Sequence, residues 1–283
     1  MSATSPVSTG STSVGVVDPP PEARGTAYVV GAAAIEMWSG GRELYSVFVR
    51  TLYYVFRGKR EKGAVVRAMY EMGNRSLVFI SITMGFIGMI LVYQAGIQTT
   101  RVLPDFSQLG AAYLELLVRD LAASLGALML ATRVGAGIAA EIGSMVVTEQ
   151  VDALRMCAAD PIDFLVVPRF LASMVMTLVL VVWSAVVAFI AGLGTAYVAF
   201  GVNPRTFINL DLVDYGDMTT GLAKCVAYGA AIPIVSSYCG LSTFGGSEGV
   251  GWATTRAVVN SSLAIIVLNF FISGTGLLIF PIK

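Results

Sequence analysis

Residues 141–169 read EIGSMVVTEQVDALRMCAADPIDFLVVPR, a polar stretch between two long apolar ones. The whole chain is 56% hydrophobic and only 13% charged, whereas a soluble domain carries about 25% charged residues. This composition predicts an integral membrane protein, and 283 residues suffice for several spans of roughly 20 residues each. The polar stretch is therefore predicted to be a loop on the membrane surface that separates two spans.

A short amphipathic helix is predicted inside this polar stretch. Thr148 is a favourable N-cap residue, and Glu149 and Asp152 fall in or near the first turn, where acidic side chains favour the helix dipole. Asp160 precedes Pro161, which disfavours continuing the helix, so about ten residues of helix are expected. Taken alone, this pattern fits a solvated loop helix as well as a helix that docks on a partner.

Five apolar windows are long enough to cross a membrane. They cover residues 77–98, 116–140, 170–204, 218–241 and 257–282. The third window is too long for one upright crossing, because at about 1.5 Å per residue it exceeds the ~30 Å hydrocarbon layer. A tilted helix or a helix with a bent end is predicted there.

The segments before the first window differ in composition. Residues 1–25 are rich in Ser, Thr, Pro and Gly, which predicts a disordered tail. Residues 26–75 predict an amphipathic helix in the membrane interface, or alternatively a soluble core helix, followed by a basic connector. Residues 76–283 form the predicted transmembrane domain. Because Lys and Arg crowd before the first span, the N-terminus is predicted to be cytoplasmic and, after five spans, the C-terminus external.

Several kinds of chemistry are excluded or disfavoured. The chain contains no His, which excludes His-based metal sites and Ser-His-Asp triads. No metal site and no catalytic residue are predicted. Carboxylates inside the spans are sparse, which argues against an ATP-independent channel or secondary transporter. The missing His argues against a membrane-embedded lipid enzyme. Both remain as alternative functions.

Ionisable residues inside spans are expensive and are candidates for function. Arg119 and Asp120 open the second span at its outer end, and Lys224 lies about two turns into the fourth from the same side. They are candidate substrate-binding residues in an outward-facing cavity for a lipid headgroup, or alternatively form a structural ion pair or snorkel to the interface. Arg256 opens the last span on the cytoplasmic side and is predicted to anchor that end.

Aromatic and small residues in the spans each allow two interpretations. Tyr93, Trp183 and Tyr228 are candidates for contact with acyl chains, although core packing is the alternative. Small residues at every fourth position permit close helix packing, either within one chain or across a dimer. Two such stripes occur, Ala131, Gly135, Ala139 and Gly143, and Ser184, Ala188, Gly192 and Ala196.

Three groups of residues together resemble the signature of the MlaE/YrbE permease family. They are RVGAGIAAEIG at residues 133–143, MVVTEQVDAL at 145–154 with DP at 160–161 and VPR at 167–169, and ATTRAVVNSSLA at 253–264. The chain departs from the family pattern at residues 119–123, where RDLAA stands in place of RELGP. It also departs at Asn269, where an acid can occur.

The resemblance implies a fold and a function. The fold is an all-α membrane protein, with an N-terminal interfacial amphipathic helix followed by five transmembrane helices. The chain is implied to be a permease subunit, not an enzyme, in the bacterial inner membrane. It would belong to an ATP-driven ABC transporter that moves phospholipids or other hydrophobic lipids between the inner membrane and an MCE-domain partner.

The same resemblance implies partners and a coupling site. The partners are a second permease subunit, expected to be a homodimer, a cytoplasmic ABC ATPase, an MCE-domain protein and membrane lipids, with no nucleic acid. No cofactor is expected on this chain, since ATP and Mg would bind the ATPase. The polar loop near residues 145–158 would be the coupling helix that contacts the ATPase. Its predicted coupling residues are Glu149, Gln150, Asp152, Leu154 and Arg155.

Overall fold

The computed structural model describes residues 26–57, 63–102, 108–209 and 213–279. Within these ranges every regular element is helical and no strand occurs, which confirms the predicted all-α fold for this part of the chain. The predicted tail at residues 1–25 and residues 58–62 of the basic connector lie outside the described residues. The described residues divide into two compact units at Glu43 and Leu44, and all sites considered below lie within the second.

Among the described residues, five helical segments are long and apolar enough to cross a membrane, as predicted. A long helix, α1 (Thr26–Arg57), precedes them. The first span is α2 (Ala64–Val102), and the second contains α3 (Leu109–Leu116), α4 (Ala122–Leu130) and α5 (Ala136–Val147). The remaining spans contain α7 (Val167–Phe200), α9 (Tyr215–Leu241) and α10 (Gly246–Ile279). Two short helices, α6 (Gln150–Met156) and α8 (Pro204–Phe207), lie in the connections on either side of α7.

Most of the spans begin or end outside the windows predicted from hydropathy. α2 begins at Ala64 rather than at residue 77, so Arg67 and Arg75 of the predicted connector lie on this helix. Backbone hydrogen bonding continues past the hydrocarbon layer, whereas the apolar composition stops where the lipid stops. The C-terminus of α7 is at Phe200, before the predicted residue 204. The helix ends there because Gly201 adopts a left-handed φ of 65°.

In the described part of the chain three π-helical turns interrupt the spans, and none of them was predicted. Two lie in the second span, at Leu117–Leu121 and Ala131–Gly135, and one, Ile162–Val166, opens the third. The first carries Arg119 and Asp120, and the second carries Arg133. Because π turns occur frequently at functional sites, these charged positions of the second span are of particular interest.

Close helix contacts fix how the spans pack. α2 and α7 pack along much of their length, and α9 packs against the second span, α7 and α10. At the α2–α7 contact, a Cβ added at Gly88 would lie 2.4 Å from the carbonyl oxygen of Ala188. Only glycine permits this approach, which is the way small residues bring helices together in lipid.

The two predicted stripes of small residues both pack within the chain. A Cβ at Gly143 would lie 2.8 Å from the hydroxyl of Thr243, and a Cβ at Gly192 would lie 2.7 Å from the side chain of Val92. These positions therefore serve the contacts between spans of one chain, which is the first of the two interpretations left open by the sequence.

Candidate functional site

The predicted surface helix exists as α6, between the second and third spans. It contains seven residues, fewer than predicted, and begins at Gln150. The predicted N-cap assignment of Thr148 is wrong. Thr148 instead caps the C-terminus of α5, where its hydroxyl donates to the carbonyl oxygen of Ser144 at 2.8 Å. A threonine hydroxyl readily reaches the carbonyl four residues back, so it is occupied by the preceding helix rather than the following one.

Both ends of α6 are fixed by unusual backbone conformations. Glu149 and Ala158, with φ of 60° and 57°, are the only non-glycine residues with positive φ in the described part of the chain. After α6, the Ala159 amide donates to the Leu154 carbonyl at 3.1 Å and the Ala158 amide to the Arg155 carbonyl at 3.0 Å, which is the Schellman pattern. Left-handed residues other than glycine cost about 1–3 kcal/mol and are concentrated at functional segments.

One side of α6 is buried and the other is exposed. Val151 is buried and holds the helix to the protein. The side chains of Asp152 and Arg155 are each 65% exposed and form an ion pair with each other at 3.0 Å. Of the predicted coupling residues, Leu154 is half-buried and the other four are exposed, Glu149, Gln150, Asp152 and Arg155. The segment therefore presents a charged surface with a fixed backbone.

A hydrogen bond from α1 holds the chain just after α6. The Tyr54 hydroxyl donates to Oδ2 of Asp160 at 2.8 Å, while Oδ1 of Asp160 accepts the Ile162 amide at 3.0 Å. Asp160 thus joins α1 to the start of the third span. The hydrogen bond to this carboxylate, and its negative charge, raise the pKa of Tyr54. The Tyr54 hydroxyl therefore keeps its proton at neutral pH, and the contact is lost as the pH rises through that raised pKa.

The three charged candidates Arg119, Asp120 and Lys224 come together in one cluster. Nζ of Lys224 lies 2.5 Å from Oδ1 of Asp120 and donates to the Arg119 carbonyl at 3.2 Å. The Lys224 side chain is only 1% exposed, and that of Asp120 is 39% exposed. Arg119 pairs at 3.6 Å with Asp217, which belongs to the capping box of α9. The structure thus contains the ion pair that the sequence left as one of several interpretations.

Three further polar hydrogen bonds lie in the same region. Ser124 donates to Oδ1 of Asp120 at 3.1 Å, and the buried Tyr228 hydroxyl donates to Oδ1 of Asn269 at 3.0 Å. Ser273 donates to the same Asn269 oxygen at 3.3 Å. Asn269, which departs from the family pattern, therefore acts as a neutral acceptor for a buried tyrosine. These contacts connect the second, fourth and fifth spans by polar side chains.

The three aromatic candidates do not meet. Tyr228 is enclosed in the core, whereas Tyr93 on α2 and Trp183 on α7 are exposed. Trp183 donates its indole N–H to Ser81 at 2.8 Å, and the Tyr93 ring centroid lies 6.0 Å from that of Phe200. Tyr228 therefore has the core-packing role that was the alternative, and the other two lie on outward surfaces.

Arg256 does not open the last helix as predicted, because α10 begins at Gly246 and Arg256 lies about three turns further along it. It lines a pocket of about 370 Å³ at the turn between α9 and α10. Phe244 and Trp252 line the same pocket and are themselves strongly exposed. This combination of a cation and exposed aromatic rings is typical of a helix end at a membrane interface.

Comparison with known proteins decides the family. Residues 65–275 match the family model described as Permease MlaE. The chain belongs to the MlaE permease family. It is 39% identical over 236 residues to a probable ABC transporter permease protein of Synechocystis sp., which covers 79% of this chain and 87% of that protein. It is 33% identical over 229 residues to the intermembrane phospholipid transport system permease protein MlaE of Haemophilus influenzae, which covers 74% and 81%.

A third relative supports the same conclusion. A probable ABC transporter permease protein of Rickettsia typhi is 37% identical over 214 residues, covering 74% of this chain and 81% of that protein. The resemblance found in the sequence is confirmed. This MlaE-family chain is a multi-pass membrane protein of the ABC transporter permease type.

Some contacts of this MlaE-family permease had no signal in the sequence. The Asp160-Pro161 dipeptide marked the end of the surface helix, but Tyr54, the partner of Asp160, lies 106 residues away. Arg133 was noticed as the first residue of the RVGAGIAAEIG motif, and its contact with the backbone of Arg75 on α2 was not expected. Both contacts depend on which faces of two distant helices meet.

We expect Tyr54→Phe to loosen the chain after α6, because Asp160 then loses its contact with α1. Amide hydrogen exchange in residues 157–162 should become severalfold faster, while exchange in the core of α9 stays unchanged. Tyr53→Phe is the matched control, since Tyr53 is the exposed neighbour whose ring packs edge-on against Tyr54 at 5.4 Å. Equal exchange in the two variants would show that the hydrogen bond does not hold this segment.

Proposed function

We propose that this permease is the membrane subunit of an ATP-driven transporter that moves phospholipids or related hydrophobic lipids between the inner membrane and an MCE-domain partner. The observation that carries the proposal is α6, an exposed charged helix held at both ends between two spans. A rigid element at this position can transmit a push from an ATPase to the spans on either side of it. Glu149, Gln150, Asp152, Leu154 and Arg155 are the proposed contact residues.

The proposed orientation follows from the distribution of charge. Arg42, Arg50 and Arg57 on α1 precede the first span, and Arg67 and Arg75 lie at the start of α2, before its apolar part. The positive-inside rule therefore favours a cytoplasmic N-terminus and, after five spans, a periplasmic C-terminus. This arrangement places α6 on the cytoplasmic side, where an ATPase would meet it, in a bacterial inner membrane.

The proposed substrate class is supported by a named relative and by the spans themselves. The Haemophilus influenzae relative is an intermembrane phospholipid transport system permease protein. In this chain the polar cluster of Asp120 and Lys224 lies toward the outer end of spans whose surfaces are otherwise apolar. A polar patch within an apolar surface suits an amphipathic lipid. The ATPase, the MCE-domain protein and a second permease copy are the proposed partners, with ATP and Mg bound by the ATPase.

Reconstitution tests the proposed function. The permease would be placed in liposomes with the ABC ATPase and MCE-domain protein of the same organism. The transfer of labelled phospholipid between the liposome membrane and the MCE-domain protein would be followed. We expect transfer that requires ATP and stops when the ATPase carries a substitution of its P-loop lysine. ATP-independent transfer that follows an ion gradient would overturn the proposal in favour of a secondary transporter. A permease that binds no ATPase in gentle detergent would also contradict it.

A further inference from the structure

A charged pocket lies on the side of the bundle away from the Asp120–Lys224 cluster. It has a volume of about 550 Å³ and is formed where α2, the second span and the start of α7 meet. Its charged lining residues are Glu71, Arg75, Arg133, Glu141 and Arg169. In the orientation proposed above, α6 is on the cytoplasmic side, and this pocket then lies in the cytoplasmic half of the bundle.

Both carboxylates of the pocket already have their own cation. Arg169 forms an ion pair with Glu141 at 2.6 Å, and Arg67 forms one with Glu71 at 3.3 Å. Arg75 and Arg133 have no acidic partner among the described residues. The pocket therefore has two guanidinium groups whose charge is not compensated from within the described part of the protein.

One of these two arginines contacts the backbone of the other. Nε of Arg133 donates to the backbone carbonyl of Arg75 at 3.0 Å, which leaves the rest of the Arg133 guanidinium free to bind. Arg133 lies on a π-helical turn, a departure from regular helix that is frequent at functional sites. Both arginines line one pocket without an acidic partner among the described residues, so an anion bound in that pocket would interact favourably with both charges.

The rest of the pocket wall combines apolar side chains with Ser76 and Ser144. Met72, Val134 and Ile138 are buried residues that line it beside the arginines. A wall that contains both cations and buried apolar side chains suits a ligand with a charged head and an apolar body. Arginine offers its planar donors to two phosphate oxygens at once, and basic pockets between spans on the cytoplasmic side bind anionic lipid headgroups.

We propose that Arg75 and Arg133 bind the phosphate of an anionic phospholipid from the cytoplasmic leaflet. The lipid would be a resident one, distinct from cargo handled near the Asp120–Lys224 cluster. The assignment rests on the charges of the pocket and not on the proposed transport function. Free phosphate and lipid headgroups share this chemistry, so the test must separate them.

Native mass spectrometry of the full chain in detergent tests this site. The protein would be titrated with phosphatidylglycerol and, separately, with zwitterionic phosphatidylcholine. Arg75→Gln is the decisive variant, because the Arg75 guanidinium takes part in no described contact and its loss leaves the fold intact. We expect phosphatidylglycerol retention to fall about fivefold, the factor expected for one basic residue at an anionic membrane surface, with phosphatidylcholine unaffected.

Two further variants and one competitor complete the test. Arg57→Gln removes an exposed cation of α1 outside the pocket and should leave retention unchanged. Arg133→Lys keeps the charge but loses the Nε contact and should weaken binding less than Arg75→Gln.

Equal retention by the wild type and Arg75→Gln, or no preference for phosphatidylglycerol, would overturn the site. Displacement of the lipid by millimolar inorganic phosphate would overturn the lipid assignment. The assay contains no ATP and no partner, so its failure is distinct from failure of transport.

Discussion

We expect Asp120→Leu to destabilise the protein by about 3 kcal/mol, because it leaves the Lys224 ammonium buried without its carboxylate. The figure is the low end for a broken buried pair, since the Asp120 side chain is 39% exposed and solvent screens part of its charge. For a chain of this size the midpoint of thermal unfolding should fall by about 6–12 °C. The measurement is thermal unfolding of the purified protein in detergent.

A double variant separates the structural role of this pair from a role in binding. Asp120→Leu combined with Lys224→Met replaces the pair by apolar side chains of similar size, which is often neutral for stability. We therefore expect the double variant to recover most of the lost stability. If the pair serves only structure, transport recovers as well. If Asp120 and Lys224 contact a lipid headgroup, transport stays low although the protein is stable.

The control for this pair lies in the same span. Glu115→Gln removes an acid on α3 that forms no ion pair among the described residues, and it should change the unfolding midpoint little. An unfolding midpoint for Asp120→Leu that equals the wild-type value would show that the 2.5 Å contact does not stabilise the fold.

The second large effect concerns the charged surface of α6. The double swap Asp152→Arg and Arg155→Asp inverts both charges but keeps an ion pair within the helix. Stability should change by less than about 1 kcal/mol, because an exposed pair contributes little and the swap only opposes the helix dipole. If α6 docks on the ATPase, binding should weaken about 30-fold or more, since unmatched charges at an interface cost about 2–5 kcal/mol.

Co-purification and ATP-dependent lipid transfer measure this effect. Arg205→Asp on α8 is the control, because it inverts one exposed charge at the other end of the spans and should leave ATPase binding unchanged. A charge-swapped permease that keeps full affinity for the ATPase would remove α6 from the coupling interface. Leu154→Ala is a milder variant that tests the half-buried contact residue separately.

The features predicted correctly from sequence are those that depend on local composition. The five spans follow from apolar length, and the family from motifs within the chain. The boundaries were less predictable. Arg67 and Arg75 suggested a connector, yet they lie on α2. The helix extends beyond its apolar part, and hydropathy does not indicate where such a polar extension begins. Thr148 was predicted to cap the start of α6 but caps the end of α5 instead. A threonine hydroxyl can form a hydrogen bond at either kind of helix end, so its position alone did not decide between them.

Pairings over long sequence separations were beyond sequence reasoning. Asp120 and Lys224 were both noticed as charges in spans, but an ion pair between them was only one of several interpretations. Tyr93 and Tyr228 were indistinguishable as candidates, although one is exposed and the other enclosed. The rotation of each helix about its axis decides these outcomes, and close contacts such as Gly88 on Ala188 set that rotation.

The sequence by itself determined how many spans this protein has, which segment between them is polar, and which family it belongs to. This is possible because a helix in lipid satisfies its backbone hydrogen bonds within itself, so length and apolar content identify it locally. Only the tertiary structure decided that Lys224 neutralises Asp120, that Asp160 is held by Tyr54, and that Arg133 lies beside Arg75. Those contacts join helices far apart in sequence, and their geometry exists only once the spans have packed.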